Sequence, residues 1–214
     1  MTPWARCTAP YSLWRTLLYE HLAGLTLQGR VLDVGGGTRK SSYLPMLRVE
    51  GQLDSLNIDP DRAPTFIADL NKPLPIPGST YDTILSLNTL EHVREDVFAL
   101  GEMTRILKPG GRMLIFVPFL YRVHGSPSDF HRHPKPWWEA VLRDLGLEPA
   151  VTAIGGSRYL AAYAIAEPSR FHAPFRALMF GLDALDRRLR PATRGTDADY
   201  AMGYFIEAKK VQAG

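Results

Sequence analysis

The chain carries a single cysteine, Cys7, in 214 residues. It can close no internal disulfide and build no cysteine-cluster zinc site, and nothing points to an oxidising compartment. No stretch reaches the roughly eighteen consecutive apolar residues that a membrane-spanning helix needs. The first residues lack the basic-then-apolar order of a secretory leader, because Trp4, Arg6 and Arg15 interrupt it. A cytoplasmic location is therefore expected. Excess charge is scarce too: the formal net charge of +3 is too small to imply a nucleic-acid partner by itself. No internal repeat, low-complexity tract or interdomain linker is evident. What remains, 45% hydrophobic and 22% charged residues, suits one globular domain with a substantial core.

Apolar runs with the character of buried strands alternate with segments of helical period. A helix is expected over 11–24, with Leu13, Leu17, Leu18, Leu22 and Leu25 on one side. Strands follow at 31–34, 53–59, 65–69, 81–88 and 112–119. A short helix with a proline bend at Pro45 is expected within 38–50, and an amphipathic helix over 94–107, stopped by Lys108-Pro109-Gly110-Gly111. A polar loop runs over 121–136 before a helix at 137–145. Two closing strands at 147–154 and 202–209 bracket a helical insert at 157–199, whose tail 190–199 is the expected flexible segment. The alternation predicts an α/β fold with a Rossmann-like, doubly wound, mostly parallel sheet and helices on both faces.

Within that order, Val31-Leu32-Asp33-Val34-Gly35-Gly36-Gly37-Thr38 is a short apolar strand opening onto a glycine turn. Such a turn lets a ligand approach the main chain closely. At the carboxyl end of a first strand, it is where open α/β sheets bind nucleotides. Asp59 follows at the tip of the second strand, where a carboxylate can accept both hydroxyls of a ribose. Asp69 lies at the tip of the third, within reach of an adenine amino group. Alone, each acid reads as a solvated turn residue; with the glycines they form a constellation.

These motifs, together with Ala68-Asp69-Leu70, Leu90-Glu91-His92-Val93 and Leu107-Lys108-Pro109-Gly110-Gly111, resemble those of class I S-adenosylmethionine-dependent methyltransferases. The small-molecule, quinone-biosynthesis-like branch is the most similar, over about residues 29–119. The resemblance implies a seven-stranded sheet with an antiparallel last strand, S-adenosylmethionine as cofactor and S-adenosylhomocysteine as product. It places Asp33, Gly35 and Gly37 at the methionine portion, Asp59 at the ribose, Asp69 and Leu70 at the adenine, and Asn88 at the amino end. Arg39 departs from the pattern, standing where many members have a further glycine. It is the one feature favouring a non-catalytic binding module on the same fold. A nicotinamide-dependent oxidoreductase would need glycine at the position of Lys40. A nucleic-acid amino-methyltransferase would show a Pro-Pro-aromatic sequence after the fourth strand, where Asn88-Thr89-Leu90-Glu91 stands, and no dense basic stripe appears.

Methyl transfer is an in-line displacement, so the protein's contribution is positioning and, for a hydroxyl or ammonium acceptor, removal of a proton. The acceptor is expected to be a small molecule reacting through oxygen or nitrogen. Candidate bases beyond strands four and five are His92, His124 and His131. Tyr121, Arg122, Asp129, Arg132 and His133 would line the acceptor pocket, with the arginines gripping an anionic group. The alternative is a surface loop whose Asp129 and histidines brace the next helix. His124, Asp129, His131 and His133 are chemically suited to metal, but His-x-His on an extended loop is common without one, and no metal site is assigned.

The segment 170–190 spaces Phe171, Phe175, Leu178, Met179, Leu182, Leu185 and Leu189 helically and adds Arg176, Arg187, Arg188 and Arg190. It is expected to pack its apolar side over the sheet or the acceptor pocket. Its basic, amphipathic character also allows peripheral contact with an anionic membrane.

Overall fold

A computed structural model describes residues 11–37, 42–125, 127–166, 172–189 and 200–212. Thr38, Arg39, Lys40, Phe171, Arg190 and the segment 190–199 lie outside the described residues.

Seven strands among the described residues form one sheet: β1 (Thr26–Val34), β2 (Arg48–Asn57), β3 (Phe66–Ile67), β4 (Tyr81–Leu87), β5 (Leu107–Pro118), β6 (Leu147–Ile154) and β7 (Gly203–Lys210). Their order is β3-β2-β1-β4-β5-β7-β6. β1 to β5 pair in parallel, whereas β7 runs antiparallel between β5 and β6. The expected sheet, including its antiparallel last strand, is the observed one.

The central strands β4 and β5 are largely apolar on both sides because helices cover both faces. With side chains alternating across the pleat, Leu32, Val34, Ile84, Met113 and Ile115 join a core with α2 (Asp96–Ile106) and α3 (Lys135–Asp144). Leu87 and Phe116 face the other way, against α1 (Leu13–Leu22) and α4 (Arg158–Ala166). From α5 (His172–Leu189), Phe175, Met179 and Phe180 pack on that second core. Ser12 caps α1 by accepting from the Arg15 N–H. Pro136 opens α3, where a missing N–H costs nothing.

Three expectations are corrected. Between the first two strands, the described part of 38–50 holds only a 3-10 turn at Leu44–Met46; from Arg48 the chain is already strand, paired with Thr26 of β1. Lys108–Gly111 is not a loop after a helix but part of β5, which starts at Leu107. Neighbouring strands thus recruit polar residues that periodicity leaves outside. On α5 the apolar spacing does not all turn inward: Leu178, Leu185 and Leu189 are 54%, 52% and 70% exposed, while Arg176 is fully buried. Arg176 donates to the Tyr11 carbonyl (2.9 Å) and the Thr16 hydroxyl (2.6 Å), and two hydrogen bonds to α1 and its entry outweigh the leucines' preference.

Candidate active site

The chain leaves β1 outward to β2 and β3, then returns to β4 on β1's other side, so β1 and β4 flank the sheet's switch point. The crevice beyond the carboxyl ends there is where open α/β sheets hold ligands. Thr89, just after β4, donates its hydroxyl to the Val34 carbonyl (3.1 Å) and ties the two strand ends together.

The glycine turn occupies this point, and its bareness is required. A Cβ on Gly36 would lie 1.8 Å from Asp33 Oδ2, one on Gly35 2.1 Å from Thr89 Oγ1, and one on Gly37 2.5 Å from the Arg62 carbonyl. Gly35 also has a φ of +84°. The Asn57 amide donates to the carbonyls of Gly35 (2.6 Å) and Gly36 (2.9 Å), fixing the turn from β2's last residue. Asn57 was not among the expected site residues; its side-chain partners lie two strands' worth of chain away.

Asp33 is buried beneath the turn, and Tyr43 donates its hydroxyl to both carboxylate oxygens at 2.8 Å. Burial raises its pKa to about 6 against the opposing pull of Tyr43. Asp33 therefore shapes the turn from below. Asp59 stands at the tip of β2 with its carboxylate 44% exposed, accepting from the Asp61 N–H (2.9 Å), with Arg62 3.8 Å away. Asp69 follows β3 and accepts from the Asn71 backbone and side-chain amides, which, backbone first, lower its pKa. Leu70 beside it is buried. Asn88 has a φ of +53° and accepts at Oδ1 from Trp14 of α1 (2.8 Å). Asp33, Asp59, Asp69 and Asn88 thus sit at the carboxyl ends of four consecutive strands along one sheet edge. That edge offers the chemistry a nucleoside with an amino-acid tail requires, with glycine main chain at its centre, half-buried at Gly35 and buried at Gly36 and Gly37, and carboxylates on one side.

The candidate acceptor residues divide into two groups. In the first, Tyr121 meets Trp14 and His124 (ring centroids 5.9 and 5.3 Å), and His124 meets His92 (5.1 Å). His124 Nδ1 lies 3.3 Å from both the Arg122 carbonyl and Asp129 Oδ2, so its proton belongs there and Nε2 presents a lone pair. His92 Nδ1 donates to the Ser128 carbonyl at 2.6 Å; burial holds its pKa below the ordinary imidazole value. Between the two rings lies Glu91, its Oε1 3.8 Å from His92 Nε2 and 4.0 Å from His124 Nε2. The Glu91 carboxylate is buried with no hydrogen-bond partner among the described residues, and that burial raises its pKa to about 8. Glu91 sits inside a motif that sequence reading singled out, yet its role was missed because burial is invisible in the letters.

In the second group, His131 and His133 stand at the start of α2. His133 Nε2 donates to Asp96 Oδ2 at 2.6 Å, and His131 Nε2 to the Arg94 carbonyl at 3.0 Å. His133 stacks on Trp137 at 3.4 Å between ring centroids. Asp129 and Arg132 are committed to each other: Arg132 holds both Asp129 oxygens and also donates to the carbonyls of His131 and Arg122. Burial of Asp129 alone would raise its pKa, but Arg132 and the His124 N–H outweigh it and lower it. The expected grip of Arg132 on a substrate anion is therefore corrected to an internal clasp that shapes the loop. Arg122 is exposed at the surface.

A family model described as a methyltransferase domain matches residues 11–147, and the chain belongs to that family, the class I S-adenosylmethionine-dependent methyltransferases. Among curated relatives, it is 33% identical to a demethylmenaquinone methyltransferase of Renibacterium salmoninarum, over 48% of this chain and 46% of that protein. It is 32% identical to a ubiquinone/menaquinone biosynthesis C-methyltransferase of Teredinibacter turnerae, over 49% of each. The chain thus spans about half the length of the curated relatives it matches. Among solved structures, a chain of the Haloferax volcanii complex between the Trm112 methyltransferase activator and a methyltransferase superposes with a TM-score of 0.61. That pair is 17% identical, over 92% of this chain and 90% of the other. A Haemonchus contortus phosphoethanolamine N-methyltransferase bound to S-adenosylhomocysteine gives 0.55 at 12% identity, over 99% of this chain and 56% of its own. At these identities the superpositions establish the fold. No helix among the described residues is long and apolar enough to cross a membrane.

Proposed function

We propose that this chain is one methyltransferase domain that transfers a methyl group from S-adenosylmethionine to a small-molecule acceptor, with α4 and α5 as the described part of a cap. The single observation that carries the reading is the glycine turn at the switch point, with no room for any side chain and with exposed Asp59 beside it. Bound there, the cofactor would supply an electrophilic methyl group. Gly35 to Gly37 would face its methionine portion, with Asp33 bracing them; Asp59 would hold the ribose hydroxyls, Asp69 and Leu70 the adenine, and Asn88 the amino end.

The first histidine group serves the acceptor. Asp129 orients His124 so that Nε2 can take a proton from the attacking atom, while Tyr121 and His92 fix the ring's position. Such a base serves a hydroxyl or an ammonium. It serves equally a ring carbon made nucleophilic when a neighbouring hydroxyl loses its proton, and the names of the quinone-biosynthesis C-methyltransferases support that last chemistry. The acceptor we favour is accordingly a hydroxylated aromatic compound, carbon-methylated beside its hydroxyl. Among the described residues nothing in the site favours a nucleic acid. Transfer of a labelled methyl group from S-adenosylmethionine to reduced demethylmenaquinone and to simple phenols tests this: a carbon-methylated product supports the reading, and calorimetry showing that neither S-adenosylmethionine nor S-adenosylhomocysteine binds would return the chain to a binding module.

A further inference from the structure

The second histidine group has a donor set that methyl transfer does not use. Asp96 begins α2, where its carboxylate is buried, with side-chain exposure of 8%. His133 lies 2.6 Å from its Oδ2 and His131 3.9 Å from its Oδ1. One ligand atom from each of the three lies within 4.8 Å of the other two. A tetrahedral zinc site with bonds near 2.0 Å needs donors about 3.3 Å apart, so closure takes side-chain adjustments of about 1 Å. His133 is held in place by its stack on Trp137, and Asp96 by the Val97 N–H that it accepts (2.8 Å).

A second observation points to a ligand at this place. A cleft is lined by Asp96, His131 and His133, and also by Glu91 and Trp138. The buried Glu91 carboxylate and the buried Trp138 indole N–H both lack hydrogen-bond partners among the described residues. Two orphaned groups bordering one small cleft are costly unless something there satisfies them. Three protein ligands leave a tetrahedral metal one position for water. Water in that cleft would give the Glu91 carboxyl and the Trp138 N–H the partners they lack.

We propose that Asp96, His131 and His133 bind one zinc-class divalent cation that pins the acceptor loop to the start of α2. Imidazole and carboxylate suit zinc. On binding, the Nε2 protons of His133 and His131, now donated to Asp96 and to the Arg94 carbonyl, pass through solvent to Nδ1 of each ring, and the metal takes the two Nε2 lone pairs. The site clamps two segments thirty-five or more residues apart in sequence, and so would order the loop that carries His124.

The test uses the full chain, freed of any histidine tag, stripped with chelator and titrated with cobalt(II) and zinc(II). Expected are one metal per chain, visible cobalt bands of tetrahedral type displaced by zinc, and micromolar or tighter affinity. His133→Ala and His131→Ala should each weaken binding about tenfold or more, and Asp96→Asn should do the same; His133→Gln serves if the alanine variant does not fold. His124→Ala should bind as the parent does. Absence of stoichiometric metal overturns the proposal. So does binding that survives in the His133 variants but is lost in His124→Ala, which would move the ion to Glu91, His92 and His124. Metal titration without S-adenosylmethionine keeps this outcome separate from that of the proposed activity.

Discussion

At Gly36 a single methyl group decides whether the turn exists. Gly36→Ala sets a Cβ against Asp33 Oδ2, and either the carboxylate or the turn must move. Calorimetry should show S-adenosylhomocysteine affinity reduced about tenfold or more. Asp59→Ala should lose a similar factor from the missing charged acceptor, while its exposed position leaves folding stability nearly unchanged. For His124→Ala, cofactor binding should persist while turnover falls by about a hundredfold, the usual contribution of a positioned base; wild-type turnover would remove His124 from the chemistry. Glu91 makes a prediction of opposite sign to that of most carboxylates. Its pKa rises from an ordinary 4.5 to about 8 in the folded chain. Between those values the folded state holds a proton that the unfolded state has released, so stability falls as pH rises through the interval. In chelator-treated protein, Glu91→Gln removes that slope. Melting temperatures measured from pH 5 to 8 should therefore diverge in favour of the variant.

The elements themselves were largely legible, because a strand buried on both faces reads as a continuous apolar run and α2 carries a clean helical stripe. β6 falls on the expected residues 147–154, and the glycine turn sits where a first strand should end. What could not be read lies in contacts between distant segments. Tyr43 over Asp33, Asn57 on the turn's carbonyls and Asp96 under His133 join residues whose spacing carries no periodic signal. The α5 helix shows the same limit from the other side: its leucines have core spacing, yet a buried arginine sets its rotation. Arg176→Ala should cost about 2–3 kcal/mol in denaturant unfolding, since two acceptors on and before α1 lose a charged donor. Arg176→Met, which keeps most of the volume, should recover only part of that loss.

Across the whole molecule, the sheet is closed by its last strand in chain order. β7 lies between β5 and β6, paired along its full length with β6 and over residues 203–209 with β5. Its first residue, Gly203, is pressed so closely that an added Cβ would meet the Trp14 ring at 2.1 Å. That ring also donates to Asn88 at the proposed cofactor edge. Until β7 arrives, β5 and β6 have unpaired margins facing one another across a gap one strand wide. A nascent chain still missing that ribbon therefore presents two adhesive borders to its neighbours. Stalled synthesis, or proteolytic nicking just ahead of residue 203, should yield aggregates rather than a smaller working enzyme.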